Sequence, residues 1–235
     1  MSKNEKVTKI LSKTNYNFDD LCLILEILRG KDGCPWDAEQ THQSIRKNFI
    51  EETYEVIEAI DTNNSDLLRE ELGDVMLQVV FHAQMEKEAG TFDINDVAND
   101  VCAKLIHRHP HIFADVNAKT ADEVLKNWEE IKNTEKSRET IYDKLSSIPP
   151  MSPALMRATK VAKKSGEYKS LDNKEIIEHA KSILESAENH PESLTSENVG
   201  GLLFEISALC GKLDIDPEEA LYKKTNNFVE KYKNI

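Results

Sequence analysis

Apolar and polar positions alternate along this chain with the three- and four-residue spacing of helix faces. The pattern predicts a first helix over Asn17–Leu28, with Asp19 or Asp20 near its start, then a loop at Gly30–Asp37 (GKDGCPWD). A second helix follows over Gln43–Ile60, where Ile45, Phe49, Val56 and Ile60 form one apolar stripe. The turn cluster DTNNSD caps a third helix over Asp66–Ala89. After Gly90 a fourth runs from Asp93 to Arg108 and stops at the His109–Pro110 step, because the residue before proline disfavours helix. A shorter helix around Asp122–Lys136 carries Trp128. The proline-rich stretch Ser146–Pro153 (SSIPPMSP) reads as a boundary, and helices resume near Ala154–Lys164, Lys174–Glu188, Glu197–Leu213 and Pro217–Tyr232.

The expected fold is therefore all-α. Residues 1–16 read as a loose, lysine-rich arm, 17–145 as one helical-bundle module and 150–235 as a second. The two halves look like a degenerate repeat. Glu71–Leu77 (ELGDVML) resembles Asn198–Phe204 (NVGGLLF) in pattern, and each is followed by an apolar helix and a Gly/Asp turn, GTFDIND and GKLDIDP.

Composition agrees with long helices. Only 8 glycines and 7 prolines among 235 residues, with 31% charged, argue against a many-stranded sandwich or barrel, and 39% hydrophobic residues allow real cores. The longest apolar run, Leu21–Leu25, is stopped by Glu26, so no bilayer span is expected, and the N-terminus shows no secretory h-region. A net charge of −13 disfavours duplex nucleic acid, unless positive charge is concentrated, and leaves a metal as a bridge to phosphates. Cys22, Cys34, Cys102 and Cys210 are widely spaced and read as free buried thiols in a reducing cytoplasm.

The chemistry-bearing feature is a set of carboxylates. Glu52/Glu55 on the second helix and Glu71/Asp74 on the third are i,i+3 pairs, so each pair shares a helix face. Two such helices packed antiparallel bring four acids to one point. On the helical wheel Glu52 borders the apolar stripe, and Glu71 and Asp74 lie among Leu67, Leu68, Val75, Gln78 and Phe81. Buried unpaired carboxylates are costly, so something positive must compensate them. Lysine or arginine pairing, or solvation, is one answer. A hard divalent cation is another, since an all-oxygen donor set suits Mg²⁺ or Mn²⁺. A di-iron bundle ranks last, because it wants two Glu-x-x-His pairs and only Glu39/His42 qualifies.

Magnesium held by few protein ligands commonly binds phosphates at its remaining positions, which makes a phosphorylated substrate the natural partner. A cationic patch is available in KLIHRHPH: Lys104, His107, Arg108, His109 and His111. Lys104 and Arg108 are i,i+4 neighbours. Positive charge complementing a helix C-terminus explains the same residues.

The ordered motifs GCPWDAEQTHQSIRKNFIEETYEVIEAI, LREELGDVMLQVVFHAQ, KLIHRHPHIF and VLKNWEEIK resemble the MazG-type nucleoside triphosphate pyrophosphohydrolases over roughly residues 18–160. The resemblance implies an all-α dimer, an assembly of two identical chains, that uses Mg²⁺ to hydrolyse nucleoside triphosphates to the monophosphate and pyrophosphate. It puts the metal ligands on Glu52, Glu55, Glu71 and Asp74, a supporting role on Glu51, and triphosphate contacts on Lys104 and Arg108. Trp36 stands either beside the base pocket or as a core tryptophan closing the bundle end. The purpose this resemblance implies is removal of non-canonical or excess triphosphates. The rival reading is a sensor that binds metal and nucleotide without hydrolysis, and a third is a purely structural adaptor.

The second half departs from the family pattern. In ungapped register the four ligand positions become Ser182, Glu185, Asn198 and Gly201, and Asn227 takes the lysine position. A structural or dimer-forming pseudo-module is expected there.

Overall fold

A computed structural model describes residues 1–118, 120–135 and 140–233. All regular structure among them is helical. The chain divides into two compact units, Met1–Asn117 and Ala118–Ile235, so the division falls upstream of the proline-rich stretch that the sequence singles out.

The first unit contains α1 (Lys3–Leu11), α2 (Phe18–Arg29), α3 (Pro35–Glu39), α4 (Arg46–Asp61), α5 (Ser65–Ala89), α6 (Ile94–Arg108) and α7 (Pro110–Phe113). Local chemistry sets the helix ends. The Asn17 side chain accepts from the Asp20 backbone N–H while Asp20 accepts from that of Asn17, a capping box that starts α2. Asn64 caps α5 by accepting from the Leu67 N–H, and Gly90, at φ +76°, ends it in the left-handed conformation glycine adopts without penalty. Asp93 caps α6 in the same reciprocal way with Asp96.

The expected loose arm is instead ordered. Ser2 and Glu5 form a capping box at the start of α1, Ile10 is buried, and the segment is tied to α2 by Lys6–Glu26 and by Lys13 Nζ to Asp20 Oδ1 at 2.5 Å. Part of the expected 30–37 loop is also helical, since Pro35 stands at the first position of α3, where its missing N–H costs nothing. Upstream of it, the chain turns tightly enough that a Cβ on Gly33 would lie 2.2 Å from the Leu28 carbonyl oxygen. Leu25, Ile45, Val80, Phe81 and Met85 form the core, with Leu21, Cys22, Leu77 and Ile94 packed against it, so α5 is the spine on which α2, α4 and α6 lie.

The second unit contains α8 (Ala121–Glu135), α9 (Ile141–Ser146), α10 (Ala154–Lys164), α11 (Glu167–Ser170), α12 (Asn173–Asn189), α13 (Ser196–Lys212) and α14 (Pro217–Glu230), with a 3₁₀ turn at Pro191–Ser193. The expected end of the fifth helix, Lys136, lies outside the described residues. Helices α10 and α12 both pack on α13, around Ala162, Ile176, Ser207 and Ala208. The Thr159 hydroxyl donates to the Ser207 carbonyl at 3.1 Å across the α10–α13 seam.

Among the described residues no helix is long and apolar enough to cross a membrane. All four cysteines are free, but Cys102 is exposed and the others are only half-buried, short of the expected full burial.

Candidate metal centre

Helices α4 and α5 form an antiparallel hairpin through the turn Thr62–Asn64, where Asn63 takes a left-handed φ of +51° that asparagine tolerates. The hairpin's arithmetic sets the site. Glu55 lies seven residues before Thr62 and Glu71 seven after Asn64, so the two face each other across the seam. Glu52 and Asp74 lie one turn further from the bend and form the next rung.

The side chains follow that register. Carboxylate oxygens of Glu52, Glu55 and Glu71 all lie within 4.8 Å of one another. Asp74 stands close enough that its charge acts on both Glu52 and Glu71. Burial, followed by the charges of Asp74 and Glu55, pushes the Glu52 carboxyl above the usual carboxylate range. Burial and then Glu55 do the same to Glu71. Each cause raises the proton affinity, as expected for like charges sharing one place. The donor set is oxygen only, the chemistry that suits a hard divalent ion.

The burial is more graded than the helical wheel suggests. Glu71 is buried, Glu52 and Asp74 are half-buried, and Glu55 and Glu51 are exposed, so the cluster opens to solvent on its α4 side. The far end of the α4 stripe departs too, with Ile60 exposed and Ala59 taking the buried position. One turn beyond Asp74, Gln78 is buried and its amide oxygen has no hydrogen-bond partner.

The remaining expected residues lie outside the carboxylate cluster. Lys104 is exposed and Arg108 half-buried on α6, one turn apart on one face. Beyond them the His109 ring bonds the Leu105 carbonyl at 2.6 Å and packs against His111. Trp36, at the start of α3, is 61% exposed, so it does not close the end of the core.

A second group of side chains escaped the sequence reading. His42 Nε2 contacts Glu86 Oε1 at 2.8 Å, and His42 Nδ1 meets His82 Nδ1 at 2.6 Å with the rings parallel. The available signal was the helical spacing Glu71, Gln78, His82, Glu86, which continues one face of α5.

The second unit offers no such convergence at the corresponding positions. The Ser182 hydroxyl bonds the His179 carbonyl in its own helix, and the Asn198 amide ties down the Ser193 carbonyl at 2.6 Å. A Cβ on Gly201 would meet Ile183 at 3.6 Å, so hydrocarbon borders the position matching Asp74.

Comparison with known proteins now bears on these features. Residues 40–113, which span the α4–α5 hairpin and KLIHRHPH, match the MazG nucleotide pyrophosphohydrolase domain. A nucleoside triphosphate pyrophosphohydrolase/pyrophosphatase of Thermotoga maritima is 42% identical over 93% of this chain and 85% of its own length. The chain belongs to the MazG family. A nucleoside triphosphate pyrophosphohydrolase of Escherichia coli K12 is 37% identical over 92% of the chain and 86% of its length, so the likeness extends through both units. One of Mycolicibacterium smegmatis is 44% identical over 54% of the chain and 40% of its length. Membership places the chain in the class of nucleotide pyrophosphohydrolases, and its helical architecture fits that all-α family.

Proposed function

We propose that this MazG-family protein is a Mg²⁺-dependent nucleoside triphosphate pyrophosphohydrolase that works through the α4–α5 hairpin. The observation that carries the reading is the convergence of Glu52, Glu55 and Glu71 within 4.8 Å, with Asp74 on the adjoining rung. These four would hold the ion, Mg²⁺ or in its place Mn²⁺. A bound divalent ion supplies charge neutralisation of the phosphates and a water of lowered pKa.

The chain's own residues supply the rest. Lys104 and Arg108 meet the triphosphate, with charge-assisted hydrogen bonds that strengthen as negative charge grows on the leaving pyrophosphate. Glu51, exposed beside Glu52, orients water at the open side of the cluster. Trp36 offers an uncommitted ring face for the base.

Residues 150–235 act as a degenerate second module, in which the side chains at two of the four matching positions, Ser182 and Asn198, bind nearby backbone. The active assembly is a homodimer. Supporting it are apolar residues exposed at helical spacing in the first unit, Ile50, Tyr54 and Ile57 on α4 and Val97, Val101 and Leu105 on α6. The four free cysteines fit the cytoplasm.

The test is pyrophosphate release from a panel of ribo- and deoxyribonucleoside triphosphates with and without Mg²⁺. Release that needs Mg²⁺ and disappears in Glu52→Ala and Asp74→Ala supports the assignment, whereas release that persists in both variants rejects the site. Mg²⁺-dependent nucleotide binding without any release would make the protein a sensor.

A further inference from the structure

The Glu86–His42–His82 group lies outside the carboxylate cluster, and its protons can be assigned from its contacts. Glu86 accepts from the Thr91 hydroxyl, and this bond together with the His42 ring outweighs burial and holds its carboxyl below the usual range. As an ionised acceptor 2.8 Å from His42 Nε2, it requires a hydrogen on that nitrogen. Neutral His42 then has a bare Nδ1. The 2.6 Å contact between the two Nδ1 atoms therefore requires His82 to carry the hydrogen. One proton fits between the rings. Two imidazolium rings, each with a hydrogen on Nδ1, cannot meet at that distance.

The segment this contact holds is the one between α3 and α4. Gln40 donates its side-chain amide to the Trp36 carbonyl at 2.9 Å, and the Ser44 hydroxyl donates to Gln40 Oε1 at 2.7 Å, so Trp36 is linked through Gln40 to the residues around His42. The same segment has a second anchor. Arg29 Nη1 donates to the Asp37 and Gln40 carbonyls at 2.6 and 3.1 Å, while its other nitrogens bind Glu88 of α5. That anchor involves neither histidine. Glu86 faces His42 from α5, α4 contributes the uncharged Phe49 ring 5.9 Å from His82, and Arg29 of α2 is committed to Glu88.

We propose that His42 and His82 are positioning residues. The single proton they share latches the α3–α4 segment onto α5 and so fixes Trp36 relative to the carboxylate cluster; one added proton still leaves a single hydrogen in the gap, and charging both rings opens the latch while Arg29 holds the other anchor. The part played by Trp36 in substrate binding rests on the reading under Proposed function, but the latch does not. Burial, and then the His42 ring, hold His82 below the usual histidine range, so the latch stays shut at neutral pH and opens on acidification.

The test uses Trp36 as its own reporter. The chain has two tryptophans, so Trp128→Phe leaves Trp36 alone. Its emission and anisotropy are followed from pH 8 to pH 5 in the full-length chain, with far-UV circular dichroism as the check on folding. The parent should show a transition in Trp36 that leaves helix content unchanged. His82→Leu should show the acid-form signal already at pH 8. His82→Asn should hold the neutral-form signal throughout, because its amide can turn to offer either N–H or C=O to His42. A transition of equal size and midpoint in all three overturns the latch, as does a parent with no transition. Kinetics give the second readout. His82→Leu should raise KM about tenfold with kcat within about twofold, and His82→Asn should restore KM, the pattern of lost ground-state positioning. A fall in kcat with KM unchanged overturns the positioning role. A parent that releases no pyrophosphate would reject the functional reading and leave the fluorescence result to decide the latch.

Discussion

Replacing Glu71 by glutamine isolates the energetic role of the carboxylate cluster, because the amide keeps the shape of the side chain and removes one charge from the buried rung. Burial and the Glu55 charge raise the Glu71 carboxyl above its ordinary range. The folded state therefore binds protons more tightly than the unfolded chain. Its contribution to stability is fully present below the unfolded pKa and is lost as pH rises through the folded one. At neutral pH without metal the cluster strains the fold, and on the proposed reading Mg²⁺ would relieve it. Mg²⁺ at one hundred times its dissociation constant stabilises the native state by about 2.7 kcal/mol. With an unfolding entropy of about 2.1 cal/mol/K per residue, that is a rise in Tm of about 11 °C if Met1–Asn117 melts by itself, or about 5 °C if all 235 residues melt together. A hundredfold weaker site at the same Mg²⁺ leaves about 0.4 kcal/mol, a shift of under about 2 °C. Scanning calorimetry at pH 7.5, with and without Mg²⁺, reads all of this. Glu71→Gln should melt no lower than the parent without metal and should lose most of the Mg²⁺ shift. A variant that melts lower without metal yet keeps the full shift would refute the reasoning.

Other substitutions probe separate links in the account. Without metal, lowering the pH from 7.5 toward 5.5 should favour the parent's Tm over that of Glu71→Gln, because the raised Glu71 carboxyl takes up a proton that the amide cannot, and an identical pH dependence in the two proteins contradicts the proposed strain. Lys104→Ala and Arg108→Ala should each raise KM for a nucleoside triphosphate by about tenfold through a lost charge-assisted contact, measured by pyrophosphate release. Gly33→Ala should cost about 1–3 kcal/mol in urea denaturation, since the added carbon would lie 2.2 Å from the Leu28 carbonyl oxygen. Glu185→Ala, in the proposed degenerate module, should leave pyrophosphate release unchanged.

Much of the fold was legible because helix ends are written in local chemistry. The expected start near Asp19 or Asp20 is realised as the Asn17–Asp20 capping box, and the expected DTNNSD cap as Asn64 on the Leu67 N–H. The Ala154–Lys164 helix lies where its spacing places it. The hairpin register was legible as well, because two i,i+3 acid pairs equidistant from one turn have to meet when the helices fold back.

What escaped depended on tertiary contact. Helix α1 is polar almost throughout, and a single buried Ile10 with its lysine bridges to α2 holds it. The openness of the α4 side of the cluster follows from which neighbours cover Glu55 and Ile60, and no wheel shows that. His42 and His82 are forty residues apart and meet only because α5 folds back along α4.

The central claim is that a divalent ion sits between α4 and α5. Crystals grown with Mn²⁺ and measured for anomalous scattering test it most directly. The account predicts a peak bounded by the carboxylates of Glu52, Glu55, Glu71 and Asp74. Strong Mn²⁺ peaks elsewhere, with nothing between those four side chains, would contradict it.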